Sequence, residues 1–132
     1  MRPEEGDVHA VERTFTADEI REFATLSRDT QAIHTERDPP IVHGLLTATL
    51  PSQIGGDLTV LARSMDFDFR APVYAGDTVR CEWTTERVET LPDRYDIVAT
   101  VDCRRTASER EGAAETTVLH GQVEGLVWRT DE

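Results

Sequence analysis

The stretch HGLLTATLPSQIGG, residues 43–56, is followed four residues later by LARSMDFDF, residues 61–69, and the change of period between them decides the fold. The first is rich in leucine and alanine, carries no acidic or basic side chain except His43, and closes on Gly55-Gly56. That composition suits a buried helix, which Pro51 should bend or end one turn early. In the second, Leu61, Met65, Phe67 and Phe69 share one parity, broken only by Arg63, as in a strand with one apolar face.

The period of two continues toward the C-terminus. Residues 71–77, APVYAGD, make a turn-rich connection, after which Val79, Cys81 and Trp83 alternate with Arg80, Glu82, Thr84 and Glu86. A third strand sets Tyr95, Ile97, Ala99, Val101 and Cys103 opposite Asp96, Thr100, Asp102 and Arg104. A fourth is expected from about Ala114 to Trp128, with Gly121 and Gly125 marking a bulge. Around Leu91-Pro92-Asp93-Arg94 both apolar faces have odd numbers, so an unbulged hairpin pairs odd with odd and brings Cys103 opposite Cys81 or Trp83. A disulfide between the cysteines is then conceivable. Free core thiols are the expectation, because chains of a reducing interior rarely keep disulfides. No Cys/His spacing of a zinc site occurs.

Toward the N-terminus, Val8–Phe15 reads as a short edge strand or lead-in. Thr16-Ala17-Asp18-Glu19 is a capping box, and Ile20, Phe23, Ala24 and Ser27 follow at helical spacing, which predicts a helix over Ala17–Ser27. Residues 28–40 are polar, end in Pro39-Pro40, and read as a loop. The sum is an α+β class: one domain over residues 1–132, in which a buried helix is wrapped on one side by a meander of four long antiparallel strands. An unpaired sheet edge should seek a partner, so a homodimer is expected.

Composition narrows the partners. The 132 residues carry 26 acidic and 14 basic side chains, a formal net charge of −12, and every basic one is arginine, with neither lysine nor asparagine present. Such a chain repels nucleic acid. No run approaches the ~20 apolar residues of a membrane span, and the opening MRPEEGDVHA lacks the features of a signal peptide, which together suggest a cytoplasmic protein. Arginine without lysine on a carboxylate-rich surface suggests adaptation to concentrated salt.

Of the four histidines, His9 and His120 read as surface or packing residues, while His34 and His43 bracket the segment that leads into the buried helix. Asp29 lies five residues before His34. A carboxylate and an imidazole on one short segment can converge on a single water, as general acid–base chemistry requires. Gly44 opens the helix, where backbone N–H groups lack helical partners and a ligand carbonyl can approach a residue without a side chain.

The order FATLSRD, IH, IVHGLLTATL and then FRAPVYAGDT, residues 69–78, resembles the MaoC-like dehydratases and (R)-specific enoyl-CoA hydratases of the hotdog superfamily. The similarity runs from about Phe15 to Val88. It implies a hotdog, a helix wrapped by an antiparallel sheet, dimerising so that acyl-CoA lies near the subunit interface. It also implies a catalytic role for Asp29 and His34, substrate-side roles for Gln31, His43 and Gly44, and no metal or redox cofactor. The implied reaction is reversible syn addition of water to a trans-2-enoyl thioester. The chain departs from the family pattern at three places. Gln31 stands for the usual asparagine and Ala32 for proline, Arg28 replaces a glycine, and the connection 35–42 is several residues shorter. A hotdog thioesterase and a non-catalytic acyl-CoA-binding protein are the competing readings. For CoA, Arg28, Arg37, Arg63 and Arg70 are candidate phosphate contacts.

Overall fold

The computed structural model describes residues 2–110, 112 and 115–129. In chain order the elements are β1 (Val8–Thr14), α1 (Ala17–Ser27), α2 (Ala32–Thr35), α3 (Gly44–Thr47), α4 (Thr49–Asp57), β2 (Leu61–Phe69), β3 (Thr78–Thr90), β4 (Arg94–Ala107) and β5 (Thr116–Trp128). The strands form one antiparallel sheet in the order β1-β3-β4-β5-β2. Helices α3 and α4 lie against its apolar face, so the architecture is the hotdog that the resemblance implied. No helix among the described residues is long and apolar enough to cross a membrane.

Helix α1 begins where the capping box places it. Thr16 Oγ1 accepts the Glu19 N–H, and Glu19 Oε1 accepts the Thr16 N–H. Ile20 and Ala24 are its buried residues. The central helix differs from the expectation. Pro51 neither merely bends it nor ends it: the segment is two helices broken at Ala48, with Pro51 the third residue of α4. The physical reason is the same proline: it has no N–H for the Thr47 carbonyl and its ring crowds that carbonyl, so the break falls one turn before it. Inside the first turn of α4 the missing N–H costs nothing, since those groups have no helical acceptor anyway.

The sheet is not a simple meander. Strand β2 pairs with β5 rather than with the next strand, β3, so the connection 70–77 crosses from one edge of the sheet to the second strand from the other. Two glycines make the β2–β5 pairing possible: a Cβ on Gly121 would lie 2.0 Å from the Asp66 carbonyl oxygen, and one on Gly125 2.5 Å from that of Leu61. They are points of close approach, not bulges. The expected bulge of β5 falls at Val118, and Arg63 is the extra residue of β2, which is why a charge interrupts that strand's apolar parity. The first residue of the fourth strand as expected, Ala114, lies outside the described residues.

In the central hairpin Cys81 lies opposite Cys103 and Trp83 opposite Val101. A bulge at Glu86 then shifts the register, so that Val88 pairs with Ile97 and the apolar face continues where strict alternation would have turned Arg87 inward. Both cysteines are free and fully buried. The hydrogen bond with Cys81, and then burial, push the Cys103 thiol up and keep it protonated. Val79, Cys81 and Trp83 join Tyr95, Ile97, Ala99, Val101 and Cys103 in the core, capped by Leu50 and Ile54 of α4. The apolar parity of β2 behaves otherwise. Leu61, Met65 and Phe69 are each more than half exposed, because β2 is an edge strand.

Candidate active site

The segment after α1 is organised by a residue in the left-handed region. Arg28, φ 65°, ends the helix and turns the chain. Asp29 follows, its N–H donating to Ser27 Oγ, and its carboxylate Oδ1 accepts the Gln31 side-chain N–H at 2.8 Å. The loop expected over 28–40 is interrupted here by α2, which places His34 on its inner side, 6% exposed. An aspartate that bonds to groups two residues ahead offers such a turn its start.

Three contacts fix the His34 ring. His34 Nδ1 lies 2.7 Å from the Ile41 carbonyl, and a carbonyl can only accept, so Nδ1 carries the proton and Nε2 is bare in the neutral ring. Nε2 lies 3.6 Å from Asp29 Oδ2. Behind it the His43 ring stacks at 3.7 Å between centroids and 16° between planes, and His43 meets the Phe23 ring edge-on. His43 Nε2–H donates to the Asp29 carbonyl at 2.9 Å, while its Nδ1 is buried without a hydrogen-bond partner. His43 thus ties the backbone of Asp29 to the ring of His34.

The position of Ile41 comes from the far end of the chain. Its segment zips onto the 71–77 connection: Ile41 bridges Tyr74, the Val42 N–H donates to the Val73 carbonyl, and the Ala75 N–H donates to that of Pro40. That connection is in turn held by Asp77, 1% exposed, which accepts from the Tyr74 N–H and from Ser108 Oγ and faces Arg105 and Arg110. The Gly76-Asp77-Thr78 motif therefore acts on the site through a chain of contacts that ends at the His34 tautomer.

Gly44, the first residue of α3, presents its N–H where no helical acceptor exists. The Phe69 ring from β2 packs over it, and a Cβ there would lie 3.0 Å from the ring. Beside them opens a cleft of about 310 Å³ lined by His34, Gly44, Ile33, Ile41, Phe69 and Val118, with Thr47 on its wall. Asp29 borders His34 at 3.6 Å, Gln31 is exposed beside Asp29, and His43 sits behind His34. Sequence reasoning did not single out Phe69 or Thr47 as cleft residues, nor the Ile41 carbonyl, since a backbone acceptor leaves no mark in a sequence. Of the arginines, Arg63 pairs with Asp96, Arg70 lies 3.8 Å from Asp68, and Arg37 donates to the Pro39 carbonyl.

Electrostatically, Asp29 is held below the usual carboxylate range, first by the hydrogen bond from Gln31 and more weakly by His34 and His43. Donor atoms of Asp29, His34 and His43 lie within 4.8 Å of one another. The two rings are nearly parallel, however, so their in-plane lone pairs run side by side and do not converge on a common point. The set suits moving a proton better than chelating a cation.

A MaoC-like domain model matches residues 2–104. No curated protein matches the sequence. Among solved structures, the chain is similar to an (R)-hydratase from A. caviae involved in PHA biosynthesis, with a TM-score of 0.78 and 25% identity over 96% of this chain and 98% of that one. It is also similar to protein af1124 from Archaeoglobus fulgidus, with a TM-score of 0.77 and 26% identity over 97% and 81% of the two chains. The ChsH1-ChsH2 complex from Mycobacterium tuberculosis matches in fold, with a TM-score of 0.77 and 22% identity over 97% of this chain and 100% of that one. With the family model spanning most of the chain and the hotdog carrying an Asp29–His34 pair at an apolar cleft, the chain belongs to the MaoC-like dehydratase family, and its chemistry is of the hydratase and dehydratase type.

Proposed function

We propose that the protein hydrates trans-2-enoyl-CoA thioesters to (R)-3-hydroxyacyl-CoA and runs the reverse dehydration. The observation that carries this reading is the Asp29–His34 pair, 3.6 Å apart, beside a cleft that offers the Gly44 N–H and an otherwise mainly apolar wall. With the His34 ring in its neutral form, both Asp29 Oδ2 and His34 Nε2 present lone pairs, so one water can donate a proton to each. As the water oxygen bonds to C3, one member of the pair takes its proton. The C2–C3 π electrons move toward the thioester carbonyl, whose growing negative charge the Gly44 N–H stabilises. The proton taken from the water then passes from the pair to C2 on the same face, which returns both groups to their starting state and closes the balance. Ile33, Ile41 and Phe69 would hold the acyl chain and exclude bulk water. The substrate's phosphates would meet exposed arginines such as Arg28.

The exposed apolar residues of β2 support a homodimer in this reading. A second copy covering Met65 and Phe69 would also close the cleft from the β2 side.

Purified protein in buffered salt with a short trans-2-enoyl-CoA tests the reaction. The expected result is loss of enoyl absorbance without release of free thiol. Thiol release alone would establish a thioesterase instead, and binding with neither change would remove the catalytic reading.

A further inference from the structure

Gln31 lies two residues after Asp29 and three before His34, and it is not among the residues that line the cleft. Its Nε2–H donates to Asp29 Oδ1 at 2.8 Å, and its backbone N–H lies 3.4 Å from the same oxygen. The other oxygen, Oδ2, is the one that faces His34 Nε2. One carboxylate is thereby divided into an oxygen tied to the loop and an oxygen aimed at the reacting pair. A carboxylate's terminal torsion is a broad, roughly two-fold well, so without such a tie either oxygen could turn toward His34 and the angle would drift. Misplacement of that kind is costly in a step that depends on aligned proton transfer.

We propose that Gln31 is a positioning residue, which clamps Asp29 Oδ1 so that Oδ2 alone exchanges a proton with the reacting water. Gln31 does not itself hold the water. One amide N–H of Gln31 is committed to Asp29 Oδ1, and that bond is the role assigned to the side chain. The clamp also favours the ionised carboxylate, because a donor at Oδ1 stabilises the charged form. The other charged or titratable groups facing Asp29 are His34 from α2, His43 from the head of α3, and Arg28 beside it in the chain. The kinetic part of this inference rests on the proposed hydration; the clamp itself does not.

The test compares the full chain with Gln31→Met, which keeps length but removes the donor, and Gln31→Glu, which replaces it with a carboxylate. Gln31 is exposed, so both variants should keep the wild-type melting temperature. Carboxyl ¹³C titration of Asp29, assigned with Asp29→Asn, should show its midpoint rising in Gln31→Met and rising further in Gln31→Glu. With crotonyl-CoA, Gln31→Met should lose kcat by about tenfold with KM within about twofold, the pattern of a group that acts in the transition state. The part of the acid limb set by Asp29 should move to higher pH. An unchanged Asp29 titration in Gln31→Met would overturn the clamp. So would a raised KM with kcat and the acid limb in place, which is the signature of a substrate contact. If the wild type does not hydrate the thioester, the reaction proposed above falls, while the titration still decides whether Gln31 holds Asp29.

Discussion

At the scale of single residues, the site depends on which atoms are already committed. His34 has one nitrogen bound to a carbonyl, Asp29 has one oxygen bound to an amide, and the remaining Nε2 and Oδ2 face each other. Asp29→Asn and His34→Ala should therefore each lower kcat with a short enoyl-CoA by about a hundredfold or more. Rates close to wild type in either variant would refute the pair. Arg28 is a different case. A non-glycine residue at φ 65° bears the steric penalty of its Cβ, at a position where relatives are expected to carry glycine. Arg28→Gly should raise stability by about 1 kcal/mol, read by calorimetry as a melting temperature about 4 °C higher. An unchanged or lower value would show that the arginine's own contacts outweigh the strain.

At the scale of elements, the site is assembled by segments far apart in the chain. The 71–77 connection, braced by Asp77, zips to residues 40–42, and these aim the carbonyl that fixes His34. Asp77 is buried and accepts from the Tyr74 N–H and Ser108 Oγ, so removing its carboxylate leaves the donors that hold the connection without their acceptor. Asp77→Ala should cost about 3 kcal/mol in urea unfolding, with hydratase activity falling in the folded fraction as well. A loss of stability under about 1 kcal/mol would mean that the carboxylate does not hold the connection. The crossover also explains why the apolar parity of β2 does not mean burial: that strand's pattern matches the core face, but its place at the sheet edge puts half of it beyond the helices.

At the scale of the whole molecule, Leu61, Met65 and Phe69 are exposed apolar side chains on an edge strand, the surface that the proposed homodimer would cover. Sedimentation should show a dimer for the wild type and a monomer for Met65→Glu, with the core and its far-UV spectrum retained. A wild-type monomer at micromolar concentration would remove the homodimer. The charge of −12 acts at the same scale. Like charges repel across a small surface, and salt shortens the range of that repulsion to about 10 Å at 0.1 M. Melting temperature should rise steadily as potassium chloride is raised toward molar levels; a flat response would count against adaptation to salt.

The capping box, the α1 boundaries and the parity of β3 and β4 could be read from the chain, because each is a matter of local spacing or period, whereas Asp29, His34 and Gly44 were singled out by the order of motifs that the family resemblance rests on. A helix N-cap needs only the next three residues, and a half-buried strand needs only alternation. What tertiary structure decided was everything that depends on which surfaces meet. Strand β2 chose β5 because Gly121 and Gly125 allow its backbone to approach, the bulge at Glu86 reset the central hairpin, and the effect of Pro51 became a break at Ala48 between two helices. The His34 tautomer, the hydrogen bond from His43 to the Asp29 carbonyl and the division of the Asp29 carboxylate by Gln31 depend on the placement of individual atoms. Sequence nominates Asp29 and His34 as the proposed acid–base pair; only packing determines which of their atoms face each other.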